Sequence, residues 1–195
     1  MRGMAMVAAV AAFGGMASAE PVDVRTAAGM LFPARGANTV IRPEAGLSEI
    51  DQKTLKVLFS QQNFPFYGAV AISPGDGLVA EPTNLAQNLH SPEAAGAAAL
   101  AACNRLRKAD TPCIIAAEVL PKGWEPRPLM LNRDATEGLR KVYRPGKGPK
   151  AMAISASTGV WSVAKGVGAG VAAMRECARQ AEPLGATDCE VVIAD

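Results

Sequence analysis

The sequence has a single histidine, few aromatic residues and little net charge, and each shortage excludes a class of function. Among 195 residues, aromatic side chains make up 5% and the formal net charge is only +2. Mixed charges of this size are too weak for an electrostatic nucleic-acid binder, so we expect no nucleic-acid partner. One histidine leaves little for histidine-rich metal chemistry. The apolar fraction of 49% is too high for intrinsic disorder.

The amino terminus has the pattern of an export signal. Arg2 provides a positive charge, residues 4–13 form an uncharged apolar stretch, and small residues at 17–19 suit cleavage by a signal peptidase. The apolar stretch falls short of the roughly 20 strongly apolar residues of a membrane span. We therefore predict a cleaved signal peptide over residues 1–19 and a periplasmic or secreted protein that begins at Glu20, without a membrane span. The alternative is an amino-terminal membrane anchor.

Export changes the meaning of the four cysteines, Cys103, Cys113, Cys177 and Cys189. In an oxidising compartment an even number of cysteines favours disulfide bonds, and four cysteines permit three pairings. The alternative is a zinc site, whose cysteine ligands usually stand two to four residues apart. The spacings here are much wider, and the absence of a Cys-x-x-Cys motif also argues against a thioredoxin-type dithiol.

Two segments of the chain follow the same pattern. Residues 67–73 and 149–155 share an Ala-apolar-Ala-Ile-Ser core, and each is followed by a turn. A short apolar run comes next, at 78–80 in the first copy and 160–164 in the second. Each copy continues with an Ala-rich stretch that ends in a cysteine and an apolar run that opens with another. The first copy is longer, and we place its extra residues within 81–90.

Each copy predicts the order strand, turn, strand, helix, strand. The helix of the first copy starts after Ser91, a suitable N-cap that is followed by a proline, and it extends to about residue 107. The helix of the second copy covers residues 169–181, where a proline and a glycine follow it.

The position of the cysteines within the copies selects one pairing. In each copy one cysteine lies in the carboxyl-terminal half of the helix and the other opens the next strand, so a bond within the copy pins the loop between them. We therefore predict the pairs Cys103–Cys113 and Cys177–Cys189. The predicted fold is α+β, with two similar strand-strand-helix-strand units, mainly antiparallel sheet, one disulfide in each unit, and an additional amino-terminal helix.

The remaining segments complete the predicted organisation. Residues 20–46 contain scattered prolines and are expected to form a mostly irregular arm. A capping box at Ser48 starts the amino-terminal helix, which shares residues 47–120 with the first repeat. Residues 121–149 form a Pro-rich linker with a short helix at about 133–142, and the second repeat occupies residues 150–195.

The repeat resembles a family of small secreted bacterial domains of unknown function. Their pattern reads roughly Gly-Ala-Ile-Ala-Val-Ser, a Thr-Gly turn, a Trp, an Ala-rich helix ending in Cys, then Cys-x-Val-Val. The second copy matches it at 151–155, Thr158, Gly159, Trp161 and both cysteines. The first copy lacks the Trp and carries the extra residues. The resemblance implies export and disulfide bonds, and it supplies no chemistry.

Some similar chains are described as aminolevulinate synthases. Those enzymes are large pyridoxal phosphate proteins, and this chain has neither their length nor a recognisable cofactor motif. We therefore expect no cofactor and no metal.

His90 and Trp161 form the candidate binding surface. His90 precedes Ser91, which suggests a hydrolase, but Ser91 also fits the N-cap of the following helix, and adjacent residues rarely face each other productively. Trp161 lies on a short second strand that we expect at a sheet edge, where an aromatic side chain can bind a partner. The alternative for Trp161 is packing in the core or at a hinge.

Two other segments are weaker candidates. Residues 166–170 open a helix as a phosphate-binding loop would, but Val171 replaces the last glycine of the dinucleotide motif, so a flexible turn is the simpler interpretation. The second segment is a run of basic residues in the linker: Lys141, Arg144, Lys147 and Lys150. This run is either a solvated linker or a site for an anionic partner.

These patterns predict an exported, disulfide-containing binding or interaction module whose ligand is a protein or a small molecule. One alternative is a small secreted hydrolase that uses His90. Another is a passive structural protein of the cell envelope. The sequence contains no Gly-x-Ser-x-Gly motif, and we predict no catalytic residue.

Overall fold

Two antiparallel sheets and the helices packed on them make up the fold. The computed structural model describes residues 20–43 and 46–195, and the predicted signal peptide lies outside the described residues. The helices are α1 (Val24–Met30), α2 (Glu49–Ser60), α3 (Pro92–Leu106), α4 (Arg133–Gly138), which continues into a π-helix (Leu139–Tyr143), and α5 (Ala169–Ala181), which is followed by a short 3-10 helix (Glu182–Leu184). The strands are β1 (Ala37–Ile41), β2 (Gly68–Ile72), β3 (Asn84–Ala86), β4 (Ile114–Pro121), β5 (Lys150–Ser155), β6 (Trp161–Lys165) and β7 (Cys189–Ala194).

The strand order shows two similar units. The first sheet has the order β1-β4-β2-β3 and the second has the order β6-β5-β7. The first unit (β2, β3, α3 and β4) and the second unit (β5, β6, α5 and β7) therefore place the same strand at the centre, between the other two. All neighbouring strands of both sheets are antiparallel, which confirms the predicted α+β class. Among the described residues, no helix is long and apolar enough to cross a membrane.

Small side chains bring a helix close to each sheet. In the first unit the buried Ala95 and Ala99 of α3 pack in one cluster with Ala69 and Ala71 of β2. In the second unit Ala169 and Ala173 of α5 pack with Ala151 and Ala153 of β5 in the same way. Because alanine has almost no side-chain volume, the helix and the sheet approach closely over each Ala-rich face.

The opposite face of each sheet is covered by a different segment. Leu55 and Phe59 of α2 pack with Val70 and Ile72 of β2. In the second sheet, Met152 and Ile154 of β5 pack with Leu139 and Tyr143 of the π-helix and with Ala27 of α1. The segment predicted to be a linker is therefore part of the core of the second sheet.

The helix starts follow local signals. The hydroxyl of Ser91 accepts the backbone N–H of Ala94 at 3.0 Å and caps α3 as predicted. At the start of α2, Ser48 and Asp51 form the predicted capping box. Helix α5 covers the predicted residues, and the helix predicted in the linker begins at Arg133 and continues as the π-helix to Tyr143.

The predicted disulfide bonds are present, one in each unit. Cys103 at the end of α3 is bonded to Cys113 before β4, and Cys177 of α5 is bonded to Cys189 at the start of β7. The separations along the chain are 10 and 12 residues. Loops of this size stabilise a fold by about 3 kcal/mol each in the chain-entropy model.

The second strand of the first unit lies later in the chain than predicted. Leu78–Ala80 forms turns, and Val79 is 92% exposed, whereas β3 begins at Asn84. Gly77 has a φ of 95°, so the chain reverses soon after β2, and the hydroxyl of Thr83 donates to the carbonyl of Leu78. The hairpin before the strand, residues 73–83, therefore holds most of the extra length of the first unit.

The arm predicted to be irregular contains regular structure. Asp23 caps α1 by accepting the backbone N–H groups of Arg25 and Thr26. Strand β1 pairs with β4 and extends the first sheet. Val22 forms an isolated bridge with Ile193 of β7, so the arm contacts both sheets.

Candidate functional site

His90 joins the first unit to the second unit through one ring nitrogen and to the linker through the other. The side chain is only 2% exposed, and Nε2 lies 2.9 Å from the carbonyl oxygen of Val160, in the hairpin of the second unit. The backbone N–H of Asn132 donates to Nδ1 at 3.3 Å. Because a carbonyl can only accept a hydrogen bond, Nε2 carries the proton, and His90 is a neutral imidazole.

The surroundings keep His90 neutral. Burial lowers its pKa to about 4, although the hydrogen bond with Val160 and the charge of Asp188 act in the opposite direction. Neither ring nitrogen is open to a substrate, and the hydroxyl of Ser91 caps α3. These contacts favour a structural role for His90 over the alternative of a hydrolase base.

Asn132 is the second buried polar residue of this region, and the sequence analysis did not identify it. It is 0% exposed, and its side-chain amide donates to the carbonyls of Asn88 (2.6 Å) and Gly159 (3.1 Å). Its side-chain oxygen accepts the N–H of Ala135 at 2.7 Å and caps α4. An Asn directly before a predicted helix is an N-cap signal, but nothing local indicates the two bonds between the units.

The two units approach closely beside Asn132. A Cβ atom on Gly159 would lie 2.4 Å from the backbone oxygen of Asn88, so this position requires glycine. Asn88 itself has a positive φ of 62°, and its side-chain amide donates to Asp134 at 2.9 Å. We call this set the polar interlock: Asn88, His90, Asn132, Gly159 and Val160.

Trp161 follows the polar interlock directly. It lies on β6, which is an edge strand of the second sheet. Its ring covers Gly138 of α4, where an added Cβ atom would lie 2.3 Å from the ring. His90 therefore bonds to the residue that directly precedes Trp161, and the indole is half-buried against α4.

A cavity of about 350 Å³ lies between the two units, and we call it the inter-unit cavity. Its walls come from both units, the linker and the amino-terminal segment: Glu20, Val22, Met30, His90, Ser91, Pro128, Leu129, Met130, Ile154, Ala156, Glu190 and Val192. Most of these side chains are apolar, whereas the two glutamates place carboxylates at the wall.

The walls of this cavity are fixed by hydrogen bonds. The N–H of Val22 donates to the carbonyl of Val192 at 3.1 Å, and the N–H of Ala194 donates back to Val22 at 3.0 Å. Arg127 donates to the carbonyls of Met30 and Leu31, both at 3.1 Å, and its guanidinium lies 3.7 Å from the centroid of the Phe32 ring. The cavity is therefore formed in the absence of a ligand.

The glycine-rich segment at 166–170 and clusters of metal-ligating side chains are two further candidates for a site. Gly166 and Gly168 have positive φ angles and form the turn before α5, in agreement with the simpler interpretation. Within residues 20–43 and 46–195, no group of three or more His, Cys, Asp or Glu side chains is placed to hold a metal ion.

The comparisons with known proteins supply no template for these sites. No family model matches the chain, and no curated protein and no solved structure matches it either. The resemblance to the small secreted domains therefore depends on the repeat motifs alone.

Proposed function

We propose that this protein is an exported, non-enzymatic binding module that holds a small apolar ligand in the inter-unit cavity. The observation that carries this proposal is a preformed cavity whose walls come from both units. Its volume lies within the range of roughly 300–1,000 Å³ that is typical of small-molecule sites. The two disulfide bonds are compatible with export.

The lining residues narrow the class of ligand. Most of them are apolar, none of the described ones is a lysine or an arginine, and His90, which also lines the cavity, is neutral. A neutral molecule with an apolar body therefore suits the cavity better than an anion.

A fluorescent probe tests the proposal. The neutral dye N-phenyl-1-naphthylamine is titrated into the purified, disulfide-bonded protein, and we expect saturable fluorescence enhancement. Ala156→Leu places a larger side chain in the wall at an exposed residue, so it should weaken binding about tenfold or more. The control is Ala172→Leu, an exposed alanine of α5 outside the cavity.

Two results contradict the binding proposal. One is the absence of saturable enhancement, which would favour the passive structural protein. The other is equal binding by the protein, by Ala156→Leu and by Ala172→Leu, which would place the dye elsewhere.

Export is tested separately. Amino-terminal sequencing of protein recovered from the periplasm or the medium should begin at Glu20, and all four cysteines should resist alkylation without reductant. A cytosolic product with an intact leader and four reduced thiols would contradict it.

The internal repeat belongs to the same proposal, in which both units derive from one duplicated motif. Besides the strand order and the disulfide, both sheets share a register irregularity between the central and last strands. It falls between Val70 and Ala71 in the first sheet and between Met152 and Ala153 in the second, at matching positions of the repeat. A bulge at the same position supports a common origin.

A further inference from the structure

A second cavity, of about 580 Å³, combines three arginines with an apolar floor, and we call it the arginine groove. It lies between the segment around the end of α1 and the helices of the linker. It is lined by Ala28, Leu31, Phe32, Pro33, Ala34, Arg35, Thr136, Glu137, Leu139, Arg140 and Arg144. None of these residues lines the inter-unit cavity, although Met30, which does, is next to Leu31.

The charge balance of the groove is positive. Arg35, Arg140 and Arg144 are exposed, and no carboxylate in the described part of the chain forms an ion pair with them. The single acidic lining residue, Glu137, is paired with Lys141 of the same helical segment. The hydrogen bond from Lys141 lowers the pKa of Glu137, with further contributions from its charge and that of Arg140. The lining therefore combines three arginines with a single carboxylate, which is paired with a lysine that does not line the groove.

The π-helix places two of the arginines beside the apolar floor. The N–H of Arg144 donates to the carbonyl of Leu139 at 3.0 Å, five residues earlier, and both residues line the groove. In a regular α-helix, with 3.6 residues per turn, two residues five apart would point roughly 140° away from each other. The wider turn brings Arg144 to the side of Leu139 and Arg140, as single π-helical turns at functional sites often do.

The third arginine comes from a segment that is held in place on both sides. Before it, Arg127 binds the carbonyls of Met30 and Leu31. After it, the carbonyl of Gly36 accepts the N–H of Lys122 at 2.7 Å. The backbone of Arg35 is therefore fixed at the groove before any ligand arrives, which reduces the entropy lost on binding.

We propose that the arginine groove binds a small organic anion. Guanidinium groups form paired, charge-assisted hydrogen bonds with the oxygens of a carboxylate or a phosphate. The apolar part of the ligand lies on Leu31 and Leu139. The volume suits a molecule of metabolite size. This site takes a charged ligand, whereas the inter-unit cavity takes a neutral one, and neither proposal depends on the other.

Calorimetric titration of the purified, disulfide-bonded protein tests the site with four probes. Octanoate and octyl phosphate carry the anionic group on the same apolar chain, octanol lacks the charge, and inorganic phosphate lacks the chain. We expect saturable binding of one or both anionic octyl compounds, weaker anion binding at higher salt, and at least tenfold weaker binding of inorganic phosphate. Octanol suits the inter-unit cavity, so its binding should respond neither to salt nor to the loss of an arginine from the groove. The ratio of octanoate to octyl phosphate affinity shows which head group the site prefers.

Three single substitutions locate the binding. Arg35→Ala and Arg140→Ala each remove a charged donor from the groove and should weaken anion binding about tenfold or more. Arg175→Ala is the matched control, because Arg175 is an exposed arginine of α5 outside the groove. Since all three arginines are exposed, circular dichroism should show that every variant keeps its fold.

Any of four results would overturn the proposal. Two of them are no saturable binding of either anionic octyl compound and anion binding that Arg35→Ala and Arg140→Ala leave unchanged. The third is an equal loss of affinity in Arg175→Ala. The fourth is tight binding of inorganic phosphate alone, because the apolar floor would then have no role. Ala156→Leu changes the inter-unit cavity and the arginine substitutions change the groove, so the two proposals fail independently.

Discussion

The two units share a plan but differ most at the loop that leads into the Ala-rich helix. In the first unit this loop, residues 87–91, contains the buried His90, which bonds to Val160 of the second unit, and the buried Leu89, which packs in the core of its own unit. In the second unit the equivalent loop, residues 166–168, is exposed, and the side chain of Val167 contacts solvent fully. One copy of the loop thus connects the units, whereas the other is a simple turn.

A second contrast concerns the carboxylate that links the first hairpin of each unit to the loop before its last strand. In the first unit, Asp76 of the hairpin accepts the hydroxyl of Ser73 at 2.6 Å and the backbone N–H of Lys108. In the second unit, Asp188 of the loop accepts the hydroxyl of Ser155 at 2.5 Å and the backbone N–H of Ser157. The carboxylate lies in the hairpin in the first unit and in the loop in the second unit. Both units therefore keep the contact between hairpin and loop, although the residue that makes it stands at a different position.

Asn132→Ala should have the largest effect, because Asn132 bonds to both units. The substitution removes the α4 cap and leaves two carbonyls without their donor, which we expect to lower the free energy of unfolding by about 4 kcal/mol. Urea denaturation of the protein and the variant measures this loss of stability. Asn104→Ala is the comparison within one unit, since Asn104 is exposed and its side chain bonds to Leu100 and Cys113 of the same unit. If the two variants lose the same stability, the polar interlock does not hold the units together.

Removal of either disulfide should have the next largest effect, and a similar one in both units. Replacing Cys103 and Cys113 by serine, or Cys177 and Cys189 by serine, opens loops of nearly equal length, so each double variant should lose about 3 kcal/mol. Chemical denaturation under oxidising conditions gives both values. A difference of more than about 1 kcal/mol between them would show that the units are not energetically equivalent.

The buried His90 should make the stability depend on pH, and the second unit has no counterpart. Because its folded pKa of about 4 lies below the unfolded value of 6.5, the unfolded state binds the proton more tightly. The free energy of unfolding is therefore highest above pH 6.5 and decreases as the pH falls towards 4, by about 2 kcal/mol between pH 7 and pH 5.

The measurement for His90 is urea denaturation at several pH values between 5 and 7. His90→Gln, which cannot titrate, is the control and should remove most of the slope in this range. A slope that is unchanged in His90→Gln would assign the pH dependence to other groups.

Gly138→Ala should have the smallest effect and tests the contact of Trp161, which the first unit lacks. The added methyl group overlaps the indole ring, which must shift, and we expect a loss of about 1 kcal/mol. Gly170→Ala is the matched helical control, since its added Cβ would meet no described atom within 4 Å apart from its chain neighbours and its own helix backbone, and it should be neutral or stabilising. Thermal unfolding of both variants gives the sign of each change in melting temperature. If Gly138→Ala is neutral or stabilising like Gly170→Ala, the indole ring moves aside without strain.

The sequence predicted best the features that depend on neighbours along the chain. Ser91 and Ser48 start their helices through bonds within three residues, and the disulfides close short loops. It failed for β3, because the apolar run at 78–80 forms no pairing, whereas Asn84–Ala86 pairs with β2. Strand β1 was missed for the same reason, since its partner β4 lies far along the chain.

The candidate site shows the same limit. His90 stood out as the one histidine, but its role depends on Val160 and Asn132, which are 70 and 42 residues away. The arginine groove was indicated only through Arg144 and the basic run, because Arg35 reaches the groove through the fold of the amino-terminal arm. Contacts of this kind are set by packing and not by local pattern.

Each disulfide joins the two ends of a largely exposed connection, so the chain stays covalently linked after a protease cleaves that connection. The connection between Cys103 and Cys113 carries Arg105, Arg107 and Lys108, which are targets for a trypsin-like protease. A single cut there leaves two fragments that stay joined by sulfur, with α3 and β4 still packed on β2. Such a nicked chain would run as one band on a gel until a reductant separates it.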